Sequence, residues 1–393
     1  MSTHSTMITP ASMDGGLPLL FPESVAPRLD LKLKRRMQRW GKVLIIFSTA
    51  VLLLFAGVMG LLSYMLSYPP VAPLASNPKE AIGLDYIDVE FPSASGRTIV
   101  NGWYIPAGGS PGPASSRVHT AALNNGNAAA NGSAAAGLSK TIVFSHGYGT
   151  NREESWVPMY KLASIVHDMD YNVLLFDYGY ASKTHKAPAT GGAEESEELL
   201  AAVQYAKSQG ADEVVVWGFS MGAGTALQTA LKTDEIDALI LDSLFLTSAE
   251  TLYHNITNFI NLPRYPAIPL LETMMPIWSG TSLSSLPAPE VLQQAYDIPI
   301  YIIHGTDDEK ASYQTAERIA GEQKNALSRS WIVPGGKHEL VFQVHPDEYI
   351  ARAAAFLDAV GQQHGLQQNQ DAPAPAQAVQ AAADAGSRDG DAA

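Results

Sequence analysis

Six short apolar runs recur through the middle of the chain: "KTIVFSH", "YNVLLFDY", "DEVVVWGF", "DALILDS", "IPIYIIHG" and "SRSWIVPG". They are rich in β-branched and aromatic residues and are apolar throughout rather than at alternate positions. That predicts strands buried on both faces. Between them lie stretches with apolar residues at helical spacing, such as "EESWVPMYKLASIVHDMD", "AEESEELLAAVQYAKSQG" and "GAGTALQTALKT". Two further β-like runs, "DYIDVEF" and "TIVNGWYI", come first. The expected architecture is α/β: a mostly parallel central sheet with helices on both faces. Ligands of such sheets bind beyond the carboxyl ends of the strands, so chemistry is sought in the residues that follow each strand.

A different pattern governs the N-terminal part. The run "VLIIFSTAVLLLFAGVMGLLSYML", residues 43–66, carries no charge and exceeds the roughly 20 apolar residues that cross a bilayer. It is too long for the apolar core of a cleaved signal peptide, typically about 7–15 residues. Arg28, Lys32, Lys34, Arg35, Arg36, Arg39 and Lys42 crowd its N-terminal side, and the next charge after it is Lys79. The positive-inside rule then predicts a signal-anchored single-pass protein. Residues 1–42 would be cytoplasmic and the remainder extracytoplasmic, in what reads as a bacterial cell membrane. Prolines 69, 70, 73 and 78 suggest a stiff linker over residues 67–81. The alternating pattern of strands and helices fills residues 82–361, interrupted at 107–139 by a Gly-, Ala-, Ser- and Asn-rich insertion expected to be unstructured. Residues 249–296, between the strands "DALILDS" and "IPIYIIHG", are expected to form a cap, and residues 362–393 a disordered tail.

Composition narrows the chemistry. None of the 393 residues is cysteine, which excludes disulfides, a thiolate nucleophile and cysteine-based metal sites. A net charge of −14 despite the basic juxtamembrane cluster is a poor match for nucleic acid. No motif calls for a metal or an organic cofactor, and the glycine loop after "KTIVFSH" lacks the spacing of a phosphate-binding loop.

The strand "DEVVVWGF" runs into Gly218-Phe219-Ser220-Met221-Gly222 and then a helix-forming stretch. Strand, G-x-S-x-G, helix is the context of a nucleophile elbow, in which flanking glycines let a tight turn present the serine hydroxyl. Two other strand ends supply partners. Asp307 and Asp308 follow "IPIYIIHG", and His338 stands in a glycine-led turn after "SRSWIVPG". Serine, acid, histidine in that order is the α/β-hydrolase order. A serine hydroxyl needs a base to take its proton, and the base needs a carboxylate to fix its tautomer. Asp242, at the end of "DALILD", is a third possible acid, and His345 a weaker second base beside Pro346. An oxyanion hole would draw one backbone N–H from Met221 and another from Tyr148 in the "HGYGTN" loop.

Read in order, "HGYGTNREESW", "YNVLLFDY", "GFSMGAGTAL", "ILDS", "IPIYIIHGTDDEK" and "PGGKHEL" resemble α/β-hydrolases of the Bem46 and serine aminopeptidase-like group, over residues 82–360. Several of these carry an N-terminal membrane anchor. The resemblance implies an α/β-hydrolase fold with a small cap, Ser220 as nucleophile, Asp308 as acid, His338 as base, and Tyr148 and Met221 as oxyanion donors. The implied substrate is a small-molecule, acyl or peptide ester, thioester or amide. One departure is visible: the family's D-x-R-G-x-G-x-S is replaced by "DYGYASKTHKAP", without arginine. A non-catalytic, membrane-tethered binding module of the same fold is the competing reading.

Overall fold

The computed structural model describes residues 26–108, 138–154 and 156–371. Residues 109–137 of the expected insertion (107–139), residues 1–25 and residues 372–393 of the expected tail (362–393) lie outside the described residues. Contacts divide the chain into two units, Met1–Gly57 and Val58–Ala393. Helix α1, Ala26–Ser67, contains the predicted span and is longer than it at its N-terminal side. Within the first unit its apolar side chains are exposed, Ile46 at 69% and Phe47 at 66%. In water that exposure would be costly, whereas in hydrocarbon it costs nothing.

In the second unit the chain runs through α2 (Pro78–Ile82), β1 (Ile87–Pro92), β2 (Ile99–Ile105), β3 (Lys140–Ser145), α3 (Met159–Asp168), β4 (Tyr171–Asp177) and α4 (Glu195–Ser208). It continues with β5 (Glu213–Phe219), α5 (Met221–Ala230), β6 (Ala238–Asp242), α6 (Ala249–Thr257), α7 (Arg264–Ser279) and α8 (Ala288–Val291). Last come β7 (Ile300–Gly305), α9 (Tyr313–Glu322), β8 (Arg329–Val333), α10 (Val341–Val344) and α11 (Pro346–Asp371). The strands form one sheet in the order β1-β2-β4-β3-β5-β6-β7-β8. Pairings β1–β2 and β2–β4 are antiparallel; the other five are parallel.

Each strand's alternating residues feed two cores. On one face Val143, Val214 and Val216 pack with α4, α5, α8 and α9 through Leu199, Leu227, Val291 and Ile319. On the other, Ile142, Val215 and Trp217 pack with α3, α10 and α11 through Leu162, Phe342, Tyr349 and Phe356. Burial on both faces is why these strands read as continuous apolar runs.

Residues 67–81, expected as a stiff linker, are seated on the domain. The Ala189 N–H donates to Ser67 O at 2.7 Å, Asn151 Nδ2 donates to Ala72 O at 2.8 Å, and the Ser76 N–H donates to Glu153 Oε1 at 2.7 Å. Proline stiffness there goes with seating on the domain. Residues 362–371, expected within the tail, continue α11 to Asp371; the glutamines and Leu366 there are good helix formers.

The loop after β3 is fixed by a buried ion pair. Arg152 donates through Nη2 to Asp177 Oδ2 at 2.7 Å and through its backbone N–H to Oδ1 at 2.8 Å, while its guanidinium lies over the Trp103 ring. Replacing Arg152 by Ala strands the Asp177 carboxylate. The expected cost is about 3–5 kcal/mol, read as a lower denaturant midpoint with unchanged slope.

Candidate active site

Beyond the carboxyl end of β5 the chain turns so tightly that Ser220 adopts φ 50°, ψ −119°. Its two glycine neighbours are there for space. A Cβ on Gly218 would lie 2.7 Å from Ala223 Cα, and one on Gly222 would overlap the carbonyl oxygen of Ser145. Such contacts admit only glycine, so the turn can be this tight only with these residues. The serine side chain is thereby lifted into a cavity of about 610 Å³ that Tyr148, Met221 and His338 also line.

Three strand ends meet here. His338 Nε2 is 2.8 Å from Ser220 Oγ, and His338 Nδ1 is 2.6 Å from Asp308 Oδ2. Burial alone would raise the Asp308 carboxyl, but hydrogen bonds from His304 and His338 outweigh it and hold the group well below the usual carboxylate range. An ionised Asp308 only accepts. The proton of His338 therefore sits on Nδ1, and its Nε2 lone pair faces the serine hydroxyl. The Asp308 Oδ1 atom accepts from the backbone N–H groups of Lys310 and Ala311 at 2.9 and 2.8 Å.

The alternatives lie elsewhere. Asp307 is exposed, its carboxylate accepting from the Thr306 hydroxyl. Asp242 is buried and accepts from Tyr349 and Ser243. His345 is exposed beside Trp331. Among the described residues, the backbone N–H groups of Tyr148 and Met221 donate to no protein atom, as a site for an incoming oxyanion requires.

A family model described as the alpha/beta hydrolase fold matches residues 140–267. In structure, the chain is similar to the Pyrococcus furiosus esterase Pf2001 in three crystal forms, with TM-scores of 0.54, 0.55 and 0.53 at 22% identity. The matches cover 74–75% of this chain and 98% of the esterase. The chain has the α/β-hydrolase fold. No curated protein sequence matches it.

Sequence reasoning missed three parts of this hydrolase-fold site. His304, at the end of β7, is fully buried and donates a forked bond from Nε2 to Ala311 O at 3.0 Å and Asp308 Oδ2 at 3.2 Å. It donates to the same Asp308 oxygen as His338. In the segment "DYGYASKTHKAP", which lacks an arginine, Tyr178 and Tyr180 are buried. The Tyr180 hydroxyl donates to Gly147 O at 2.8 Å, and Tyr178 Oη lies 2.6 Å from Ser145 Oγ. Two tyrosines thus fix the loop that carries Tyr148.

The third part is a pair of buried glutamates, Glu154 and Glu339, both at positive φ. Glu154 accepts from the Gly147 N–H at 3.1 Å and Glu339 from Trp156 Nε1, and each leaves Oε1 without a donor. Burial, then the mutual repulsion of the pair, pushes Glu339 up to about 8; burial does the same to Glu154. The unfolded chain releases these protons near pH 4.5, whereas the folded chain keeps them until about pH 8. The contribution of this pair to stability is therefore full below about pH 4.5, falls as pH rises through this window, and levels off above it. Glu154→Gln keeps the acceptor for Gly147 and removes one titration. It is expected to flatten this loss by on the order of 2 kcal/mol, measured by chemical denaturation near pH 5 and pH 8. An unchanged slope would mean that Glu154 is ionised in the folded protein.

Proposed function

We propose that the protein is a membrane-anchored serine hydrolase that cleaves an ester, thioester or amide through an acyl-enzyme. The observation that supports this most directly is the unbroken hydrogen-bond chain from Asp308 through His338 to Ser220. Ser220 Oγ attacks the substrate carbonyl carbon as its proton passes to His338 Nε2. The resulting oxyanion is held by the Met221 and Tyr148 N–H groups. Collapse breaks the bond to the leaving group, which departs with the proton from His338. Water then attacks the acyl-serine, again deprotonated by His338, and the carboxylic acid leaves with Ser220 restored. Asp308 stays ionised and stabilises the imidazolium. The apolar span, exposed along its length in the first unit, and the seven basic residues before it support an anchor with the N-terminus in the cytoplasm and the hydrolase unit outside.

In detergent-solubilised full-length protein, a fluorophosphonate probe is expected to label the wild type and leave Ser220→Ala unlabelled. Turnover of an activated ester should fall at least about 10⁴-fold in Ser220→Ala and about 10⁴-fold in Asp308→Asn. Full turnover by Ser220→Ala would sink the mechanism. Absence of labelling in a folded wild type would favour a binding module of the same fold.

A further inference from the structure

The last turns of α1, residues 58–67, belong to the hydrolase unit rather than to the first unit. Their role goes past anchoring. Val58, Leu62 and Leu66, spaced by four and so on one helix face, line the cavity that holds Ser220 and His338. Ile256, Phe259 and Met275 of the cap segment line it too. The adjacent face of the helix, Met59, Ser63 and Ser67, is buried against the domain. The seat is specific. The Tyr148 hydroxyl donates to Leu66 O at 2.7 Å, and Tyr64 packs edge-on against Trp278 with ring centroids 5.2 Å apart. Of the lining, Leu61 and Phe259 are 60% and 89% exposed, and Ile277 of α7 is 68% exposed.

An anchor alone needs no such arrangement, since a linker after the span would serve. Here residues 58–66 are at once the end of the apolar span and one wall of the cavity. If residues 58–66 themselves lie in the outer leaflet, the exposed apolar side chains beside them have lipid rather than water to face. We propose that the substrate is a long-chain acyl ester of the host bilayer. Its acyl chain passes laterally from the leaflet into the cavity between α1 and the cap, bringing the ester carbonyl to Ser220. The inference rests on the serine-hydrolase reading given above. A cavity of about 610 Å³ lies within the roughly 300–1,000 Å³ typical of sites that enclose a ligand. Because lipid and cavity are both apolar, entry costs the chain little, whereas each methylene of a water-borne ester gains up to about fourfold in binding.

The test uses full-length protein with active sites counted by the fluorophosphonate label. Its kcat/KM for p-nitrophenyl laurate is expected to exceed that for the butyrate by at least about tenfold, and vesicles of dioleoylphosphatidylglycerol should release oleate. Leu62→Trp, which places an indole in the cavity, should lower the laurate-to-butyrate ratio about tenfold, and Leu62→Ala should move the optimum towards palmitate. If Leu62→Trp loses the label through misfolding, the Ala variant and the wild-type series still decide. A labelled wild type that prefers butyrate, with a ratio unmoved in either variant, would overturn the inference and leave the serine mechanism intact, as would the absence of oleate release. A wild type that takes no label and cleaves no ester would overturn the mechanism and the inference together.

Discussion

The backbone at Ser220 is the constraint around which the rest is arranged. A non-glycine residue at φ 50°, ψ −119° costs on the order of 1–3 kcal/mol, and it persists only where its surroundings over-determine it. Both of its peptide groups are clamped. The Ser220 N–H donates to Asp242 O at 2.9 Å, and Ser220 O accepts from the N–H groups of Ala223, Gly224 and Phe245. Strand β6, the first turn of α5 and the chain after β6 therefore all converge on one residue. The same geometry brings α5 against the end of β3, where the Ser145 hydroxyl donates to Gly222 O at 2.9 Å. Once β3, β5 and β6 are locked in this way, the loops that leave their carboxyl ends have little choice of position.

What the sequence made legible follows from this. Strands buried on both faces leave an unmistakable apolar signature, so the six parallel-type runs were found at β3 to β8, and the residues beyond them could be named. Serine, acid and histidine could be named as candidates because each lies at or in the turn just beyond the carboxyl end of a strand. Asp307, Asp308 and Asp242 were all open as the acid; in the structure it is Asp308 that hydrogen-bonds His338. Adjacent residues at a strand end point in different directions, and no pattern in the sequence says which faces the site.

Other features were hidden for physical reasons. Glu154 and Glu339 sit in "REESW" and "KHELV", where acids normally read as solvated; only the tertiary structure buries them. His304 looked like part of an apolar strand, and its link to Asp308 depends on the turn that follows β7. The end of the apolar span was hardest of all. Leu62 and Leu66 would appear in the same pattern whether lipid or a cavity faced them, because hydropathy records the polarity of the surroundings and not their identity.

The carboxyl groups of the site divide by environment in a way that serves the histidine. Asp308 is offered donors by two imidazoles and two backbone amides, and so it is held ionised despite its burial. Glu339 and Glu154 are as deeply buried and have fewer donors, and so burial, with the charge of Glu154 added at Glu339, pushes both up to about 8. The placement matters because Glu339 Oε2 lies 3.9 Å from His338 Nε2, on the side where Ser220 hydrogen-bonds. An ionised Glu339 would compete for that nitrogen, favouring an imidazolium that cannot accept the serine proton. A neutral Glu339 leaves one anion on the ring, at Nδ1, and keeps the Nε2 lone pair for the hydroxyl. Pushing apart the proton affinities of neighbouring acids by solvation and donor count assigns them different tasks without different chemistry. Here it makes one carboxylate the partner of His338 and keeps the second from becoming its rival.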